Sequence, residues 1–195
     1  MALNLCVFCS SSDVIEPAYF AAAATLGTTL ARRGDVLIYG GANIGLMGAA
    51  ARAAHQNGGR VVGALPQFMA SRGLAYAQAD ELILTRDLRE RKAVMEARAD
   101  AFLALPGGFG TLEEMLEIIT LKQLGQHSKP VLFLNVAGFY DPLIGFFEHI
   151  REHGFVKPHA NSLYYFAADV DDAFSYLDHY QWRQSGSPVA APVSQ

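Results

Sequence analysis

Nine consecutive residues, Pro106-Gly107-Gly108-Phe109-Gly110-Thr111-Leu112-Glu113-Glu114, hold the densest chemistry in the chain. Glycine lets a backbone approach a ligand closely and adopt positive φ. A helix opening there points free N–H groups and a partial positive charge outward. Together they make a cradle for phosphate or another anion. Glu114, three residues past Thr111, has two readings. With Thr111 as N-cap it closes a capping box. Alternatively it is a reactive carboxylate. Leu112, Met115, Leu116 and Ile119 form the expected core stripe, which places Glu114 roughly opposite, beside Ile118 and Leu121. At a rise of ~1.5 Å per residue, an anion at the helix start lies about 4–5 Å along the axis from Glu114. The phosphorus and anomeric carbon of a ribose 5′-phosphate are separated comparably, so an anchored phosphate would bring a glycosidic carbon to this carboxylate.

A second glycine cluster, Gly40-Gly41-Ala42-Asn43-Ile44-Gly45-Leu46-Met47-Gly48, also follows an apolar run and opens a helical pattern. It reads either as another anion cradle through Gly40, Gly41 and Gly45 or as a tight turn with close packing. Neither cluster is followed by G-K-[ST], and neither has the G-x-G-x-x-G spacing with its ribose-binding acid, which disfavours P-loop and dinucleotide readings. Ahead of the first cluster stands Arg89-Glu90-Arg91-Lys92. Leu88, Arg91, Lys92 and Met95 share a helical face. Two cations there suit an anion clamp, or a solvated face laced by Glu90, Glu96 and Arg98.

The elements that must position these residues alternate. Strands are expected at Leu3–Cys9, Val36–Tyr39, Val61–Leu65, Glu81–Leu84, Ala101–Leu105, Val131–Asn135 and Leu163–Phe166. Apolar spacing predicts helices at Ala18–Arg33, Leu46–Asn57, Leu88–Ala99, Leu112–Leu124 and Phe139–Glu152, with a last one after Asp169. This pattern implies an α/β fold, a doubly wound and mainly parallel sheet flanked by helices. Such sheets bind ligands beyond the carboxyl ends of their strands, which is where both glycine clusters fall. Residues 1–182 read as one nucleotide-binding domain. The small-residue stretch 183–195 reads as a loose tail.

The chain has 195 residues, is 51% hydrophobic and carries a net charge of −4. That is enough for one sizeable core. Fifteen Lys and Arg against 19 acids, with no basic run, argue against a nucleic-acid partner. The absence of an apolar run of about 18 residues argues against a membrane span. Cys6 and Cys9 lack a second pair for zinc and lie within an expected strand. They read as reduced core thiols, fitting a cytoplasmic location. No metal or cofactor is expected.

These motifs resemble the LONELY GUY family of cytokinin riboside 5′-monophosphate phosphoribohydrolases, long labelled lysine decarboxylases. Pro106–Glu114 matches the family's P-G-G-x-G-T-x-x-E, Arg91-Lys92 its R-K, and Gly40–Gly48 resembles its G-G-x-x-x-G-L-M-G, with similarity over residues 3–180. The resemblance implies a Rossmann-like fold and a homodimer with its active site near the interface. It implies catalytic roles for Arg91 and Glu114. It implies substrate contacts from Lys92, the loop Gly107, Gly108, Phe109, Gly110, Thr111, Leu112 and Glu113, and Thr120; Gly40, Gly41, Gly45 and Met95 are further substrate-binding candidates. The expected reaction is hydrolysis of a nucleoside 5′-monophosphate to free base and ribose 5-phosphate. Gly73 stands where many plant members carry a glutamate, which makes AMP a candidate beside isopentenylated AMP. The rival expectation is a non-catalytic nucleotide or nucleotide-cofactor binding protein of the same fold.

Overall fold

Seven strands form one sheet in the order β4-β3-β2-β1-β5-β6-β7, every neighbouring pair parallel. They are β1 (Asn4–Phe8), β2 (Val36–Tyr39), β3 (Arg60–Pro66), β4 (Glu81–Thr85), β5 (Ala101–Ala104), β6 (Val131–Leu134) and β7 (Tyr165–Ala167). The structure is a computed structural model and describes residues 2–157, 160 and 162–180. The expected tail, 183–195, lies outside the described residues.

β1, β5 and β6 are apolar on both faces because helices cover both sides. One core packs Leu26 and Leu30 of α1 (Pro17–Arg33), Leu46 and Ala50 of α2 (Gly45–Gln56), and Phe174 and Leu177 of α7 (Val170–His179) against the sheet. The other packs Met95 of α4 (Leu88–Arg98), Met115 and Ile118 of α5 (Phe109–Gln123), and Phe147 of α6 (Asp141–Glu152). Cys6 joins the second core and Cys9 packs against the first, because strand side chains alternate faces. The two thiols are free.

The strand order reverses at β1. Val7 sits beside Tyr39 on one side and Leu103 on the other. The crevice of a doubly wound sheet opens at such a reversal, here between the segments after β1 and β5. Ser10 N donates to Pro106 O at 3.1 Å across it. The loop after β5 is also anchored from behind, where the buried Tyr140 hydroxyl donates to Leu105 O at 2.8 Å.

Two helix starts and one short element depart from the sequence expectation. α5 begins at Phe109 rather than Leu112, because Gly108 is its N-cap. α6 begins at Asp141 rather than Phe139, after a separate 3-10 turn at Val136–Gly138. Asn135 builds that turn by accepting from Tyr140 N and donating to Asp141, each at 2.7 Å. α3 (Gln67–Ala70) is a single turn too short to leave a periodic signal.

Candidate active site

Gly108 leads into α5 with extended backbone, and no side chain caps the helix. The first backbone bond onto this cap is Leu112 N to Gly108 O, 3.0 Å. The amides of Phe109, Gly110 and Thr111 precede it and have no partner among the described residues. Helix geometry leaves such groups unsatisfied, and their shared dipole favours an anion. A Cβ at Gly107 would run into the Thr111 hydroxyl and lie 2.6 Å from the Thr111 Cβ. Only glycine there lets the buried Thr111 side chain fold back under the loop.

The capping box does not form, since Gly108 holds the cap position and Thr111 lies inside the helix. The core stripe is also rotated from the expected one. Thr111, Glu114, Met115, Ile118 and Ile119 are the buried positions, while Leu116 is 45% exposed. Glu114 therefore sits on the inward face, 8% exposed, rather than opposite it. Buried carboxylates are rare unless paired. This one accepts from Arg91 Nη2 at 2.9 Å. Burial pushes its pKa above the ordinary carboxylate range, and the Arg91 charge offsets part of that rise.

Arg91 comes from α4, whose start is fixed by Asp87 accepting from the amides of Arg89 and Glu90. Its guanidinium crosses the end of β2. A Cβ at Gly40 would meet Arg91 Nη2 at 2.6 Å and Met47 Sδ at 2.9 Å. Gly40 thus makes room for Arg91. Arg91 Nε is buried with no partner among the described residues. Lys92 pairs with Glu113 and with Glu117, the latter at 2.7 Å. Burial pulls the Lys92 pKa down, but the two carboxylates outweigh this and leave it raised. The expected lacing along α4 is replaced by other pairs, Glu90 with Arg86 and Arg98 with Glu81.

In the Gly40–Gly48 cluster the chain itself takes the first two amides of α2, which favours the tight-turn reading over that of a second cradle. Asp13 Oδ1 accepts from Gly45 N at 2.8 Å, and Ser10 O accepts from Leu46 N at 3.0 Å. Gly41 O accepts from Tyr76 N, and Ala42 bridges to Ala75. Met95 is fully buried in the second core, so within the chain it presents no surface to a ligand. Thr120 is exposed, and its hydroxyl donates to Leu116 O. It is turned away from Glu114 around α5. Phe109 is 93% exposed and Glu113 is also outward. Leu112 is half-buried. Sequence reasoning missed Asp13 and Met47. Met47 lies within the quoted glycine motif, but nothing local marks Asp13, which acts on an amide 32 positions away.

A parallel doubly wound sheet with open helix amides and a buried Arg–Glu pair near its order reversal defines an α/β protein with a candidate anion-binding site. Several solved structures share the fold. Two of them are the molybdenum cofactor binding protein of Rippkaea orientalis (TM-score 0.71, 21% identity, 91% of this chain and 96% of that one) and the molybdenum cofactor carrier protein of Chlamydomonas reinhardtii (TM-score 0.70, 23% identity, 91% and 97%). At sequence level, the family model described as "Possible lysine decarboxylase" matches residues 47–177. Cytokinin riboside 5′-monophosphate phosphoribohydrolase LOG7 of Arabidopsis thaliana is 42% identical over 178 residues, 91% of this chain and 82% of its own. LOG3 of the same plant is 43% identical over 177 residues, with the same coverage. The probable rice enzyme LOGL5 is 44% identical over 177 residues, 91% of this chain and 72% of its own. The chain belongs to the cytokinin riboside 5′-monophosphate phosphoribohydrolase family.

Proposed function

We propose that this chain hydrolyses the N-glycosidic bond of adenine-type nucleoside 5′-monophosphates, with cytokinin riboside 5′-monophosphates and AMP as the substrate class. The products are free base and ribose 5-phosphate. The names of its relatives support the reaction. The observation that carries the reading is Glu114, a buried carboxylate one helical turn beyond the open amides of Phe109–Thr111.

The 5′-phosphate docks on those amides, with the loop from Gly107 to Glu113 around it, and orients the sugar. Positive charge develops on the ribose as the bond to the base breaks. Ionised Glu114 stabilises that charge and orients or deprotonates the attacking water. Arg91 holds Glu114 in its charged form and borders the place of the departing base. Lys92 acts as a brace between α4 and α5 through Glu113 and Glu117, rather than as a free phosphate ligand. That same pairing removes Lys92 as a free amine beside the site, which counts against amine chemistry of the decarboxylase kind.

The chain acts as a homodimer in the cytoplasm with the site near the subunit interface. Leu116 (45%) on the outer face of α5 and Leu124 (66%) at its C-cap support an interface there. No helix among the described residues is long and apolar enough to cross a membrane. Incubation with AMP, isopentenyl-AMP, GMP and CMP, followed by chromatography of free base and ribose 5-phosphate, tests the reading. Adenine-type bases are released. Tight binding of all four nucleotides with no base released would make the protein a carrier instead.

A further inference from the structure

The C-terminal end of α6 carries two exposed histidines four residues apart, His149 in its last turn and His153 at its C-cap. Their ring centroids lie 4.1 Å apart with the planes inclined by 42°. The spacing puts both side chains on one face of the helix. His153 Nδ1 lies 2.9 Å from the carbonyl oxygen of His149. A carbonyl oxygen only accepts, so Nδ1 carries the hydrogen, and in the neutral ring the lone pair then falls on Nε2. Metal-bound histidines show this arrangement, with the second ring nitrogen donating to a carbonyl or carboxylate that fixes the tautomer. Two histidines at i and i+4 on a helix also form the chelating half of helical zinc motifs.

The local charge agrees with a cation. The carbonyl end of a helix carries partial negative charge, and two carboxylates, Glu148 and Glu152, stand beside the pair in sequence against one cation, Arg151. Among the described residues no three His, Cys, Asp or Glu side chains are placed to hold a metal together. The pair by itself offers two ligand positions, and water would complete the coordination sphere. It shares no residue with the Arg91–Glu114 site or with either glycine loop.

We propose that His149 and His153 chelate one divalent transition-metal ion of the class that favours imidazole, Zn2+, Cu2+ or Ni2+. The test uses the full-length chain with no affinity tag. One equivalent of Cu2+ alone is added and the electron paramagnetic resonance spectrum is recorded, with Zn2+ titrated in parallel by calorimetry. The wild type shows one ion per chain and hyperfine coupling from two imidazole nitrogens. His149→Asn and His153→Asn each lose the second nitrogen, and the double variant loses the calorimetric signal while melting at the wild-type temperature. Silence from the wild type, or a double variant that takes up the ion as the wild type does, overturns the assignment.

Discussion

The chain builds the same local device twice, a buried strand running through glycines into a helix N-terminus, and the two copies meet opposite fates. At the start of α2 the leading amides are taken by Asp13 and Ser10. At the start of α5 the equivalent amides are open. A helix N-terminus is thus an anion site only when the rest of the chain leaves it unfilled. The filled copy supports the open one. Gly40 gives Arg91 its space, Arg91 holds Glu114, and Ser10 ties both loops together through Pro106 O and Leu46 N.

The largest expected effect comes from the acid beside the open copy. Glu114→Gln lowers base release by about 10²–10⁴-fold, measured as initial rates on AMP and isopentenyl-AMP. A variant at the wild-type rate removes Glu114 from the chemistry. The same substitution has a stability signature. Burial raises the Glu114 pKa in the folded chain, so the unfolded chain releases this proton more readily. The stabilising contribution is complete below the ordinary carboxylate value and is lost as pH rises through the raised one. The wild type should therefore lose Tm relative to Glu114→Gln across that rise. A Tm difference independent of pH contradicts the burial argument. Arg91→Ala removes the charge that lowers this pKa, so the acid limb of kcat/KM moves to higher pH. A limb that stays in place would show that Arg91 does not hold Glu114 ionised.

The comparison sharpens with one substitution made in both loops. Gly45 has φ +55°, and a Cβ there would lie 2.5 Å from Ser10 O and the Ser11 carbonyl carbon. Gly45→Ala combines left-handed backbone strain with a backbone clash, costing about 3 kcal/mol of stability. Gly108 has φ −90°, and a Cβ there meets nothing within 4 Å. Gly108→Ala keeps the wild-type melt, but its methyl stands at the mouth of the open amides and raises KM for the nucleotide. Thermal melts and KM for both variants decide it. If Gly108→Ala melts as early as Gly45→Ala, the two loops are not different in kind.

Much of this was legible in the sequence because it rests on local pattern. The expected strands fall within about two residues of the observed ones, since fully buried parallel strands read as unbroken apolar runs. Arg91, Glu114 and the Pro106–Thr111 loop stand out by residue type and spacing, and the structure brings them together. What was hidden depends on contacts distant in sequence or on a small rotation. The stripe drawn through Leu112 and Leu116 misses the true inward face, because Leu at an exposed position looks the same as Leu in a core. Starting α5 at Leu112 made Thr111 an N-cap and Glu114 its partner, whereas Gly108 starts the helix three residues earlier. The pairing of Lys92 with Glu113 and Glu117 joins two helices, which no spacing within α4 reveals.

The smallest expected effect probes the filled loop directly. Asp13→Ala removes a carboxylate that caps α2 from a distance, costing about 1 kcal/mol, or a Tm lower by about 2–4 °C for a chain of this size. Asp13→Asn keeps an oxygen that accepts from Gly45 N and loses only the charge, so its Tm falls less. The two variants separate capping from electrostatics, and KM separates the two loops. Were the substrate phosphate to dock at α2, Asp13 would compete with it, and Asp13→Ala would lower KM by freeing an amide and removing a negative charge. Docking at α5 leaves KM unchanged in both variants. A KM that falls in Asp13→Ala moves the phosphate to the loop before α2 and strips Glu114 of its distance argument.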